Sequence, residues 1–238
     1  MSSGKLMSAD LSDLSYSVKY GSVIITDCKT TAAGELEIPA LIGEVPVTKI
    51  GSAAFRGCSN LTSIVIPDGV TTIGDESFYS CSLLAAITVP DGVISIGESA
   101  FRYCNSLTSI NLPEGITSIG DSAFHNCGSL SDILIPSTVT QIGERAFRDC
   151  KNLARIVIPA GVSSVERLAF YGCTSLRQVH IDGELPSFGS NVFGGSANSY
   201  ITYSGDLTTV AGRPSFSPSQ LFEVNNLQET IELYLASE

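Results

Sequence analysis

Six cysteines in this 238-residue chain share one spacing. Cys58, Cys81, Cys104, Cys127, Cys150 and Cys173 stand 23 residues apart, and only Cys28 falls outside the series. A disulfide wants Cβ atoms about 3.8 Å apart and a dihedral near 90°. Side chains repeated at a fixed period on coils about 4.8 Å apart point the same way and supply that geometry poorly. Zinc needs a tetrahedron, which a straight row cannot close, and no CxxC pair is present. The preferred reading is a buried ladder of free thiols, cysteine being a small hydrophobe when unoxidised.

Other reactive groups are sparse. The chain has two histidines. His125 follows a phenylalanine on a helix expected to face solvent at that point, and His180 lies between the inward Val179 and Ile181, so it points away from the core. Both read as surface residues and not as catalytic bases. No GxSxG, HExxH, phosphate-loop or EF-hand pattern occurs, nor a GxGxxG joining strand to helix. No sequence-near carboxylate pair suggests a glycosidase. Asn60-Leu61-Thr62 is a formal glycosylation sequon, read as chance because Leu61 should be buried. The expectation is a protein without enzymatic activity, metal or cofactor.

What positions these residues is a repeat. Phenylalanine recurs at Phe55, Phe78, Phe101, Phe124, Phe147, Phe170 and Phe193, again every 23 residues. A fixed period in the twenties marks a solenoid, which grows by adding coils. The chain is 43% hydrophobic and only 16% charged, which suits a dry repeated interior. Its net charge of −11 argues against nucleic acid and anionic membranes as partners. No apolar run is long enough to span a bilayer. The N-terminus lacks the apolar core of a signal peptide, so a cytoplasmic location stands beside the alternative of an exported protein whose signal is missing from this sequence.

Taken in order, residues 1–15 are polar, and alternation from Tyr16 predicts two short strands with a turn near Tyr20–Gly21. Residues 1–50 form a strand-rich N-terminal segment and cap. It includes a first repeat stretched by five residues between its Ile-Pro and Ile-Gly pairs. Residues 51–203 form a solenoid of about seven coils, an α/β arrangement. In each coil Asp75, Glu98, Asp121 or Glu144 reads as the N-cap of a helix of one or two turns. Phe and Cys at i and i+3 share its buried face with a small alanine. A strand such as Leu61–Pro67 follows, sending Ile64 and Ile66 inward and Ser63 and Val65 outward. Proline then ends the ladder, Pro-Asp-Gly turns the chain, and Val-Thr-Thr-Ile-Gly makes a second short extended segment. Parallel strands line one face and short helical turns the other. Seven coils span roughly 35 Å. One coil cannot offset the entropy of ordering it, so stability must come from stacking. The register decays after Phe170. Ser-Tyr-Ile-Thr-Tyr supplies a last strand, and residues 204–238 form a C-terminal segment that is loose over 204–220 and strand or helix beyond.

The letters that vary between coils form columns. One outward column on the strand face runs Val65, Thr88, Asn111, Leu134, Val157, His180. A second runs Ser63, Ala86, Ser109, Asp132, Arg155, Gln178, with Arg177 beside it. The candidate interaction face is Asn111, Asp132, Leu134, Arg155, Val157, Arg177, Gln178 and His180, because solenoids bind along such faces. Uncorrected variation at solvent positions is the plain alternative. A secondary column follows the phenylalanines: Arg56, Tyr79, Arg102, His125, Arg148, Tyr171. These are hot-spot residue types. A structural role is preferred there, the cations answering the helix dipole and the tyrosines covering the cysteine layer.

As a consensus the unit is a-F-x-x-C-x-x-L-x-x-I-x-I-P-x-G-V-x-x-I-G, and over residues 35–203 it closely resembles the BspA-like, bacterial surface-antigen class of leucine-rich repeat. That resemblance implies a right-handed leucine-rich solenoid on or outside the cell, linked to adhesion and protein–protein contact, with no catalytic residues to carry over. The expected function is a monomeric, non-enzymatic module binding a protein or a cell-surface or matrix ligand. A structural spacer with no ligand of its own is the alternative.

Overall fold

A computed structural model of the chain describes residues 9–203 and 222–226. Each coil contributes one strand to a first side, Ala33–Glu37, Asn60–Val65, Ala86–Thr88, Ser109–Asn111, Asp132–Leu134, Arg155–Ile158, Gln178–Ile181 and Ala197–Tyr203, which pair in parallel as three successive sheets of three, two and three of these strands. Where these pair, the register advances by one repeat, as in Ile64↔Ile87, Ile110↔Ile133 and Ile156↔Val179. Strand alternation decides what faces in: Ile64 and Ile66 are 1% and 2% exposed, while Val65 between them is 42% exposed. The turn after each strand closes on its proline carbonyl, to which Val70 donates at 3.0 Å from Pro67 and Val93 at 3.1 Å from Pro90.

A second parallel ladder uses two-residue strands: Thr72–Ile73, Ser95–Ile96, Ser118–Ile119, Gln141–Ile142, Ser164–Val165 and Ser187–Phe188. A glycine follows five of these six strands, and at Gly97 and Gly143 close approach requires it. A Cβ on Gly97 would lie 2.4 Å from the Asp75 backbone nitrogen, and one on Gly143 would lie 2.8 Å from that of Asp121.

The third side corrects the expected helices. Among the described residues the single helical element is the 3-10 turn Leu11–Asp13, capped by Asp10. Residues 75–80 are consecutive turns, as are their counterparts in the other coils. Their amide hydrogens alternate in destination. Glu76, Phe78 and Ser80 each donate at 2.8 Å to the next coil, to the carbonyls of Glu98, Ala100 and Arg102. Ser77, Tyr79 and Cys81 donate within their own coil, to Gly74, Glu76 and Phe78 at 3.3, 3.0 and 3.2 Å. A helix would point its amides along its own axis, toward carbonyls of the same segment, and not sideways to the neighbouring coil. Here a left-handed residue every fourth position swings alternate amides sideways. Two columns carry that conformation: Ala53, Glu76, Ser99, Ser122, Arg145, Leu168 and Asn191 with φ of 53–60°, and Gly57, Ser80, Tyr103, Asn126, Asp149, Gly172 and Gly195 with φ of 59–76°. Two of the acids read as N-caps bond between coils instead. Asp75 and Asp121 accept from the amides of Glu98 and Glu144 at 2.9 and 2.7 Å.

Behind these turns lies the core. The seven phenylalanines are 0–1% exposed. Successive rings stack with centroids 5.1–5.5 Å apart and planes within 11°.

The N-terminal strands Leu14–Lys19 and Ser22–Cys28 form the expected antiparallel hairpin, with Tyr20 and Gly21 both at positive φ as a two-residue turn demands. Ser22–Cys28 then pairs in parallel with Val45–Ile50, which continues into Thr72–Ile73, so the hairpin lies across the start of the short-strand ladder. The five extra residues become a second small hairpin, Leu41–Ile42 against Val45–Pro46, turning through Gly43 and Glu44 at φ 55° and 65°. At the other end Ala197–Tyr203 adds in parallel to Gln178–Ile181, and Phe222–Asn226 closes antiparallel on it. The expectations for residues 1–8, 204–221 and 227–238 fall outside the described residues.

Candidate interaction faces

On the strand face, register turns the sequence columns into physical rows. Ser109 and Asn111 pair with Asp132 and Leu134, and Arg155 and Val157 pair with Gln178 and His180. Asn111, Asp132, Arg155, Arg177 and Gln178 are exposed, and Val157 and His180 are partly so. Leu134 is 65% exposed, beside Asn111 on the neighbouring strand and two residues from the charged Asp132 on its own. His180 points outward as its alternation requires, with Nε2 3.0 Å from Asp182 Oδ1. Apart from Val65, the face is therefore a parallel array of small and polar groups in its early coils. One apolar projection and a set of charged groups follow in the later ones.

The turn-side column behaves differently, because its side chains lie along the surface against the next coil. The Arg56 guanidinium sits 4.7 Å from the Tyr79 ring centroid and pairs with Glu76. Arg102 lies 4.9 Å from the Tyr103 ring and 5.9 Å from that of Tyr79, and its Nη2 donates to the Tyr103 hydroxyl at 3.2 Å. Tyr79 and Tyr103 meet edge to face at 5.4 Å. Arg148 lies 5.2 Å from the Tyr171 ring and 3.2 Å from Asp149. With no helix present, the dipole has no part in this column. Cation–π contacts, of about 0.5–1 kcal/mol each at exposed sites, take its place. Tyr103 and Asp149 belong to this ridge although the phenylalanine-plus-one column omits them. Following the next position at the same period, from Gly57 through Tyr103 to Gly172, would have found both.

His125 is the clearest departure from the sequence expectation. It is buried, 6% exposed, and not a solvent-facing residue. Turn geometry in place of a helix lays its ring against Tyr103, at 5.9 Å between centroids, with Nε2 3.7 Å from Asp149 Oδ2. Nδ1 is buried without a hydrogen-bond partner. Burial first, and then the Arg102 and Arg148 cations, push its pKa down to about 4, with Asp149 opposing.

The cysteines are free and buried. From Cys81 onward their row has a specific partner, the phenylalanine carbonyl one coil back: Cys81 donates to Phe55, Cys104 to Phe78 and Cys127 to Phe101, all at 3.1 Å. Cys58, with no repeat phenylalanine behind it, donates to the Cys28 carbonyl at 3.5 Å. In the last coil Ser196 takes over, its hydroxyl 3.4 Å from the Phe170 carbonyl. Burial drives the Cys81, Cys104, Cys127, Cys150 and Cys173 thiols well above their ordinary range. They are held as unreactive thiols. Ser77, standing where most other coils have alanine, is fully buried with its hydroxyl unpartnered. Among the described residues no group of three or more His, Cys, Asp or Glu side chains could hold a metal ion. No helix there is long and apolar enough to cross a membrane.

Comparison with known proteins agrees with this geometry. The family described as BspA type leucine rich repeat region matches residues 34–154 and 149–234, with six copies. The crystal structure of the leucine rich repeat protein of T. pallidum is 34% identical over 79% of this chain and 89% of that one, with a TM-score of 0.73. A leucine-rich repeat protein of Eubacterium ventriosum shares the fold at 23% identity and a TM-score of 0.62, covering 84% of this chain and 50% of that one. No curated protein matches the sequence.

Proposed function

This chain belongs to the BspA-type leucine-rich-repeat family, and from that premise we propose that it is a non-enzymatic binding module of the cell surface or its exterior. Its strand face docks a protein or matrix ligand. The observation that carries the proposal is the exposed Leu134 beside Asn111 and Asp132 on one parallel strand pair, with Arg155 and Gln178 on the strand pair of the next two coils. An apolar projection ringed by polar and charged groups is the arrangement that forms the centre and rim of a protein–protein contact. The ladder fixes those groups in place before any partner arrives, so little side-chain ordering remains to oppose association. The residues assigned to the contact are Asn111, Asp132, Leu134, Arg155, Val157, Arg177, Gln178 and His180. The Arg and Tyr groups of the turn side are already engaged with one another.

Immobilised protein presented with a panel of extracellular-matrix and host-surface proteins should show saturable binding to at least one. Leu134→Asp and the pair Arg155→Glu with Arg177→Glu should each weaken that binding by about tenfold or more, the loss of about 1.4 kcal/mol expected for a contact residue. Equal binding by these variants would remove the strand face from consideration. No saturable ligand for the folded wild type would favour a spacer role.

A further inference from the structure

We propose that the turn side carries an oxyanion site at the middle of the array, where Arg102, His125 and Arg148 follow one another on three successive coils, and that the anion is taken up together with a proton on His125. Two buried polar atoms at this place lack a partner, Arg102 Nε and His125 Nδ1. Elsewhere along the same side the cations have carboxylates across the coil boundary: Arg56 pairs with Glu76, and Arg167 with Glu144. Arg102 has none. Its contacts are the Tyr103 hydroxyl and the rings of Tyr79 and Tyr103. Around it Arg148 pairs with Asp149 and Arg145 with Glu144, so Arg102 is the cation of this cluster left without a carboxylate.

The groups around His125 define what would settle there. Arg102 and Arg148 flank it, Arg145 adds a more distant positive charge, the Tyr103 ring covers one side, and the Asp149 carboxylate faces Nε2. With Nε2 toward Asp149, Nδ1 is the nitrogen left for a ligand. The donors open to an anion are His125 Nδ1–H and Arg102 Nε–H, both beside the Tyr103 ring, and the anion's charge offsets the guanidinium groups that otherwise oppose protonation of the imidazole. Each proton bound then favours the anion, and each anion favours the proton, by the same factor. Carboxylate and sulfate share this chemistry, the first as an acidic side chain of a partner and the second as a free or sugar-borne group. This site is independent of the strand face and stands or falls separately from it.

Only two histidines are present, so two ring-proton signals follow the titration, and His180→Gln assigns them. The wild-type chain is titrated by NMR between about pH 8 and pH 3 in sodium chloride, sodium sulfate and sodium formate at matched ionic strength. The expected result is a His125 midpoint higher by about one unit or more in sulfate or formate than in chloride, meaning an anion bound about tenfold more tightly by the protonated form. His180 should respond equally to all three salts. A rise in formate alone identifies a carboxylate ligand, and a rise in sulfate alone a tetrahedral one. Arg102→Gln with Arg148→Gln should abolish the difference while the circular dichroism spectrum is kept. Identical His125 midpoints in the three salts overturn the proposal, as does a salt difference that survives in the double variant. Should that variant fail to fold, the wild-type titration decides alone.

Discussion

Arg155 and Arg102 hold outward positions in neighbouring stretches of the same repeat, yet one projects into solvent and the other lies packed along a ridge of tyrosines. Their backbones account for the difference. On the strand face, alternation gives every second side chain a direction away from the sheet, and identical coils hold these side chains parallel without pressing them together. On the turn side, left-handed residues at two columns direct alternate amides to the next coil. The side chains between them are drawn across the coil boundary, where they meet their neighbours. One solenoid thus has a face whose variable residues are free to change and a face whose variable residues take part in folding. A hot-spot composition has different meanings on the two.

That contrast can be broken or sharpened by stability measurements. The largest effect is expected behind the turns: Phe124→Ala should cost about 3–5 kcal/mol in urea unfolding, because it removes one ring from a stack that contacts both adjacent coils. Leu134→Ala on the strand face should change stability by no more than about 0.5 kcal/mol. Comparable losses at the two sites would erase the distinction.

Next in size is the pH dependence of His125. Its folded pKa, about 4, lies below the ordinary 6.5. The unfolded chain therefore binds more protons between those values, and stability rises with pH across that window. As pH falls from 6.5 to 4 this group should remove on the order of 2 kcal/mol, and little more below that. Melting curves of the wild type and His125→Phe should diverge through this range. Parallel curves would show that His125 is as exposed in solution as a strand-face residue. The smallest effect is a gain. Ser77→Ala restores the residue found at this place in most other coils and removes a buried, unpartnered hydroxyl, so it should stabilise by about 1 kcal/mol. A loss in the thermal melt would mean that the hydroxyl has a partner.

The shape of the unit was legible from the letters that do not vary. Phenylalanine, cysteine, leucine and the Ile-x-Ile-Pro run mark the core and the first ladder, because burial and strand alternation leave a periodic trace. The N-terminal hairpin was legible from Tyr20–Gly21 for the same local reason. The helices were misjudged because an acid followed by a small residue and an apolar pair at i and i+3 suits both a helical turn and a chain of single turns. The distinguishing signal was present in the column Gly57, Asn126, Asp149, Gly172 and Gly195, residue types that tolerate left-handed backbone. It is weak coil by coil, since Ser80 and Tyr103 occupy the same column. Tyr103, Asp149 and the burial of His125 followed from that one misjudgement.

By itself the sequence determined the period, the buried ladder of phenylalanine and thiol, and the outward columns of the strand face. These depend on single-residue hydrophobicity and on alternation within a strand, which are local. Tertiary structure alone decided where the amides of the turn side go and what becomes of the side chains beside them. The carbonyl that receives the Phe78 amide belongs to Ala100, and the one that receives the Cys104 thiol belongs to Phe78. Each choice between bonding within a coil and bonding across to the next is made only when two coils are in contact. The burial of His125 beside Tyr103 is fixed by that contact.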